Sequence, residues 1–142
     1  MKRNLAFKTG AVLMVALLLC GFTCTYAKTG QLAKDVAASV LVAQQVEIQA
    51  HKSGYIEDSM HQSIQNELLS LSDAGVRLDA AITQAHNAKG ALAEIAVMNQ
   101  LLSDLSQNKL AGIKDANTKL ALQAAFLTIQ TTLDSIAALG GK

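Results

Sequence analysis

Proline and tryptophan are absent from these 142 residues, while cysteine, aromatic rings and surplus charge are scarce. Each shortage excludes something. Without proline, no residue removes a backbone donor or clashes with the preceding turn, so helices are free to run long. The two cysteines are Cys20 and Cys24, so everything after residue 27 lacks a thiol. That body cannot hold a disulfide, a cysteine nucleophile or a cysteine metal site, whatever the redox state of its compartment. After residue 27 the only aromatic rings besides histidine are Tyr55 and Phe126. With so little bulk available, helices must approach closely to fill a core.

Charge of one sign is missing as well. Of twelve basic side chains, Lys2, Arg3 and Lys8 lie at the start, leaving nine against eleven acids, a net of −2 over residues 28–142. No basic stripe is present to track a phosphate backbone or an anionic lipid surface. The chain is therefore expected to bind no nucleic acid, and to meet a membrane only through its N-terminal segment.

That segment has three parts. A basic start precedes the uncharged run Ala11–Phe22, and Thr25-Tyr26-Ala27 places small residues at −3 and −1 of a cut before Lys28. This is the pattern of a secretory signal. Cleavage after Ala27 would release a periplasmic or secreted domain. If the segment is retained, the 19 uncharged residues from Thr9 to Ala27 are just long enough to span a hydrocarbon core. The basic start would then hold the body outside the cytoplasm. Lipidation is the third fate, but Leu19 before Cys20 is too large and Cys24 lacks the aliphatic position of a lipobox.

What remains favours helix. Alanine and leucine dominate, and they lose little rotamer freedom there. Apolar spacing of three and four is punctuated by glycines at 30, 54, 75, 90, 112, 140 and 141. The first segment, 31–51, aligns Leu32, Val36, Val40 and Ala43. The second starts near Tyr55, with Ser53 as its N-cap, and aligns Ile56, Met60, Ile64, Leu68, Leu71, Gly75, Leu78, Ile82 and Ala85. The third, 91–107, aligns Leu92, Ile95, Asn99, Leu102 and Leu105. The last, 115–139, aligns Leu122, Phe126, Ile129, Leu133 and Ile136 behind an Asp115 N-cap. Asp73 with Arg77 and Asp115 with Lys119 sit at i,i+4, acid first.

The expected architecture is all-α. A signal or anchor helix over 1–27 precedes a four-helix antiparallel bundle over 28–142. A faint internal repeat, Gln49-Ala50-His51 against Gln84-Ala85-His86, would make five helices if Gly75 broke the second segment as Gly112 ends the third. A kinked but continuous helix is expected instead. Leu120–Leu139 is long enough to span a bilayer, but Gln123, Gln130 and Asp134 interrupt it, so a core helix is expected there.

Chemistry is sparse. Di-iron bundles use paired Glu-x-x-His motifs, and the nearest approach is Asp58-Ser59-Met60-His61. Glu57 lies one turn before His61, and Glu47 and His51 form another acid–histidine pair. These read as exposed polar residues around the first turn rather than a metal site. His86 reads as a helix-end cation. No serine lies in Gly-x-Ser-x-Gly, and no glycine loop could cradle a phosphate. Asn99 is the one polar residue on an apolar stripe, where it would fix register or contact a ligand. No catalytic, cofactor-binding or metal residue is assigned, and no cofactor is called for. The sequence thus predicts a non-enzymatic contact or structural module of the periplasm or envelope, with an unknown protein partner there and an open oligomeric state. The alternative is a bundle that binds a small molecule or metal through residues such as His61 and Asn99.

Overall fold

The computed structural model describes residues 26–140 in full, and residues 3–25 only as the start of the first helix. The expected signal or anchor over 1–27 thus lies almost wholly outside the described residues. Four helices form the body: α1 (Arg3–Lys52), α2 (Asp58–Ala85), α3 (Leu92–Asp104) and α4 (Ala116–Gly140). Among the described residues there is no strand, and no helix is long and apolar enough to cross a membrane.

The helices pack in a ring, α1 on α2 and α4, and α3 closing the far side between α2 and α4. Neighbours run antiparallel: Glu47 of α1 meets His61 and Gln65 of α2, and Gln49 and Ala50 share a cleft with Asn117 and Ala121 of α4. The core divides unequally. From α1 come small side chains, Ala33, Val36, Val40, Ala43 and Ala50, whereas α2 and α4 supply fully buried leucines and isoleucines. Each large residue contributes about 1.5–3 kcal/mol by burial. α1 is therefore held by closeness of fit more than by bulk, as the shortage of aromatics requires.

Local signals account for most helix ends. Gly54, at φ 77°, carries the left-handed step that ends α1. The Tyr55 amide then donates to the Ala50 carbonyl at 2.9 Å. Ser53 belongs to this turn, its amide donating to Gln49, and it does not cap α2. Burial of Ile56 fixes the chain before the helix can begin, so α2 starts at Asp58 after Glu57, later than the spacing suggested, and Tyr55 stays exposed in the turn. Asp115 does cap α4, accepting from the Thr118 amide at 2.7 Å. The Thr118 side chain first, and then that amide bond, hold its carboxyl below the usual range against the smaller opposing effect of burial.

Gly75 does not break α2, so the bundle has four helices, not five. In α3 the inward position falls to Met98. Leu92 is 41% exposed and Asn99 is only half-buried at the edge. Ala85 at the end of α2 is exposed and Leu32 only partly buried. After Asp104 the chain widens into one π-helical turn, Leu105–Lys109, then tightens into a 3₁₀ turn, Leu110–Gly112. Leu105, Leu110 and Ile113 pin this segment to the core.

Candidate functional site

The polar residues that the sequence singled out converge at the α1–α2 hairpin. Glu47 sits one turn along the row Val36, Val40, Ala43, so the same periodicity that buries those residues carries its carboxylate inside, with no exposed surface. A lone buried carboxylate is costly. Here both oxygens are occupied: Oε1 lies 2.7 Å from His61 Nδ1, and Oε2 accepts from the Gln65 side-chain amide. His61 stacks on His51 with ring centroids 3.9 Å apart and planes 6° from parallel. His51 Nε2 in turn lies 2.8 Å from the exposed carboxylate of Asp58.

The pairing differs from the sequence expectation. Glu47 bonds to His61 across the hairpin and not to His51 on its own helix, while Asp58 bonds to His51 rather than to His61. These are not simply exposed polar residues either, since the carboxylate at their centre is dry. For a metal the arrangement is poor. Parallel stacked imidazoles aim their in-plane lone pairs along separate planes, and a tetrahedral ion needs convergent ones. Among the described residues, no group of three or more His, Cys, Asp or Glu side chains is placed to hold an ion.

A second cluster joins α2 to the wide turn after α3. Lys109 Nζ lies 3.2 Å from Glu67 and 4.0 Å from Asp104. Glu67 and Asp104 are themselves partners. Burial raises the Glu67 carboxyl above its ordinary range, and the bond to Asp104 raises it further, against the pull of Lys109. Asp104 goes the other way, lowered first by Asn108 and then by Glu67. Glu67 Oε2 is buried without a donor, which a proton held between the two carboxyls would supply.

Sequence reasoning missed this cluster, and with it one spacing: Ser106-Gln107-Asn108-Lys109 sets a serine three residues before a lysine. Because Lys109 is turned toward two carboxylates and Ser106 is exposed, the two form no nucleophile–base pair. The predicted helix-surface pairs are also redirected. Arg77 reaches Glu94 on α3 at 3.0 Å rather than Asp73, and the Asp115 carboxylate is taken by its capping bond. His86 ends α2 in the left-handed conformation, φ 51°, its ring edge-on to Tyr26 with centroids 5.4 Å apart.

Among the described residues, two surface clefts lie beside α1. One, of about 390 Å³, lies toward α4 and is lined by neutral residues, including Gln45, Gln49, Ser53, Tyr55 and Asn117. The other, about 230 Å³, lies toward α2. Neither is lined by His61 or Asn99, the residues on which ligand binding was expected to depend. Asn99 instead leaves its Oδ1 buried without a partner at the edge of α3. No protein-family model, curated protein or solved structure matches the chain.

Proposed function

We propose that this chain is a non-enzymatic helical module that acts by contact with protein on the outer side of the cytoplasmic membrane. One observation carries the reading: large apolar side chains stand on the outsides of helices whose inner faces are already fully packed. Leu41, Val42, Leu69, Val76, Leu120 and Leu127 are each more than half exposed. Scattered single apolar residues need no explanation, but helix-spaced pairs, Leu69 with Val76 on α2 and Leu120 with Leu127 on α4, mark surfaces suited to another helix. The polar clusters suit a supporting part. Their groups are bound to one another across helix pairs, and neither cluster opens into one of the two clefts. The location rests on the N-terminal pattern alone.

Cross-linking in intact cells, with the chain at native abundance, tests this. A discrete protein partner should be captured, and capture should fall when Val76 or Leu127 becomes Glu. Absence of any partner above background would remove the reading. Protease added to cells with an opened outer envelope should reach the body; finding the full chain intact in the cytosol would refute the location.

A further inference from the structure

The cleft between α1 and α2 has a symmetry that points to its occupant. The antiparallel register of α1 and α2 sets Ala37 opposite Val76 and Lys34 opposite Asp79, with Leu41 and Leu69 further along the same banks and about 4.5 Å out of level. Across the cleft an apolar residue thus faces an apolar one, and a base faces an acid. The floor is made of small residues, Ala33, Ala37, Ser72 and Gly75, which allow another helix pair to come near. Leu41 is 56%, Leu69 54% and Val76 69% exposed. Lys34 and Asp79 stand at the same height, and neither has an ion-pair partner among the described residues.

We propose that a second copy of this chain covers this face, related by a two-fold axis along the cleft. Such an axis lays α1 of one copy on α2 of the other at equal height. Lys34 then meets Asp79 of the second copy, Asp79 meets its Lys34, and each Val76 packs on an Ala37. An isologous contact demands this reciprocity: a patch that answers itself. An unrelated partner would not need a base and an acid set level on the two banks of one cleft. The four helices brought together alternate in direction, as in an ordinary antiparallel bundle, with axes ~8–10 Å apart. From Lys34 to the half-buried Ile48 the face runs about 21 Å, two helices wide. That is the small end of specific interfaces, so the dimer dissociates in the micromolar range, on the order of 1–100 μM.

The inference rests on the contact reading above and narrows it to self-association. Sedimentation velocity on the full chain, purified as the cell processes it and held in mild detergent, should give a monomer–dimer equilibrium between about 1 and 200 μM. Val76→Glu should weaken it at least ~10-fold, with an unchanged circular dichroism spectrum. Lys34→Glu and Asp79→Lys should each weaken it, since each creates two like-charge contacts, and the double swap should recover to within about threefold of the original. Three results would overturn the proposal: a monomer at every concentration, a dimer indifferent to Val76→Glu, or a double swap no better than the single ones. A monomer would still leave contact with another protein standing, because that reading falls only if cross-linking captures nothing.

Discussion

Replacing Glu47 and replacing its partner His61 should have unequal effects, and the inequality tests how the hairpin is held. Glu47 is fully buried, so its carboxylate has given up water for two bonds, to His61 and to Gln65. His61→Phe keeps a ring to stack on His51 but removes the nitrogen 2.7 Å from Glu47, leaving a dry carboxylate with one donor. Breaking a buried pair from one side costs roughly 3–5 kcal/mol, and the surviving Gln65 bond puts this case near the lower figure, ~3 kcal/mol. Glu47→Leu instead removes the charge and fills the space. The orphaned groups, on His61 and Gln65, are only partly buried and can turn to water, so the expected loss is within ~1 kcal/mol. Domains of this size are stable by about 5–15 kcal/mol, so the two outcomes separate cleanly in urea titrations at neutral pH. If Glu47→Leu is the costlier change, or His61→Phe is harmless, the buried pair is not what fastens α1 to α2.

Three further outcomes are expected. Gly75→Ala should stabilise the protein by about 0.5–1 kcal/mol in thermal or urea melts, because the helix gains propensity and the new methyl meets only the Met98 Cε at 3.9 Å. Glu67 has its folded-state value raised, so its contribution is present at low pH and lost as pH rises through that value. Glu67→Gln abolishes the loss, and the stability of the variant relative to the parent should increase from pH 4 to pH 7; a constant or falling difference contradicts the shared proton. Asp115→Ala should lower the melting midpoint at neutral pH, with the deficit shrinking in acid as the parent's own cap protonates, since a lowered carboxyl stabilises above its unfolded value and ceases to as pH falls through the folded one.

The face of α4 was legible residue by residue: Leu122, Phe126, Ile129, Leu133 and Ile136 are all buried, behind the predicted Asp115 cap. Strong periodicity with one start signal left no competing arrangement. In α1 the same row continued into Glu47, where a charge on an apolar stripe was the available sign of a buried pair. Its partner was hidden because pairing across a hairpin depends on register, and the turn chemistry around Gly54 and Ile56 moved the start of α2. Ser53 misled for the same reason, since a capping residue type cannot show which helix it serves. Leu92 and Met98 lie on neighbouring rows of α3, and only the placement of α2 decides between them. The wide turn after Asp104 was unreadable, because a change of hydrogen-bond partner from i−4 to i−5 leaves no mark in composition.

That turn also gives the chain a spare residue. Five positions along an ordinary α-helix separate two side chains by about 140° of rotation. Yet Leu105 and Leu110 both point into the core, and Asp104 and Lys109 both approach Glu67. Loss of Ser106 or Gln107, each facing water, would shorten both intervals to four and let the coil close normally with its inward and outward sides unchanged. The junction ahead of α4 is thus the place where the length of this protein can vary by one without disturbing the rest of the bundle.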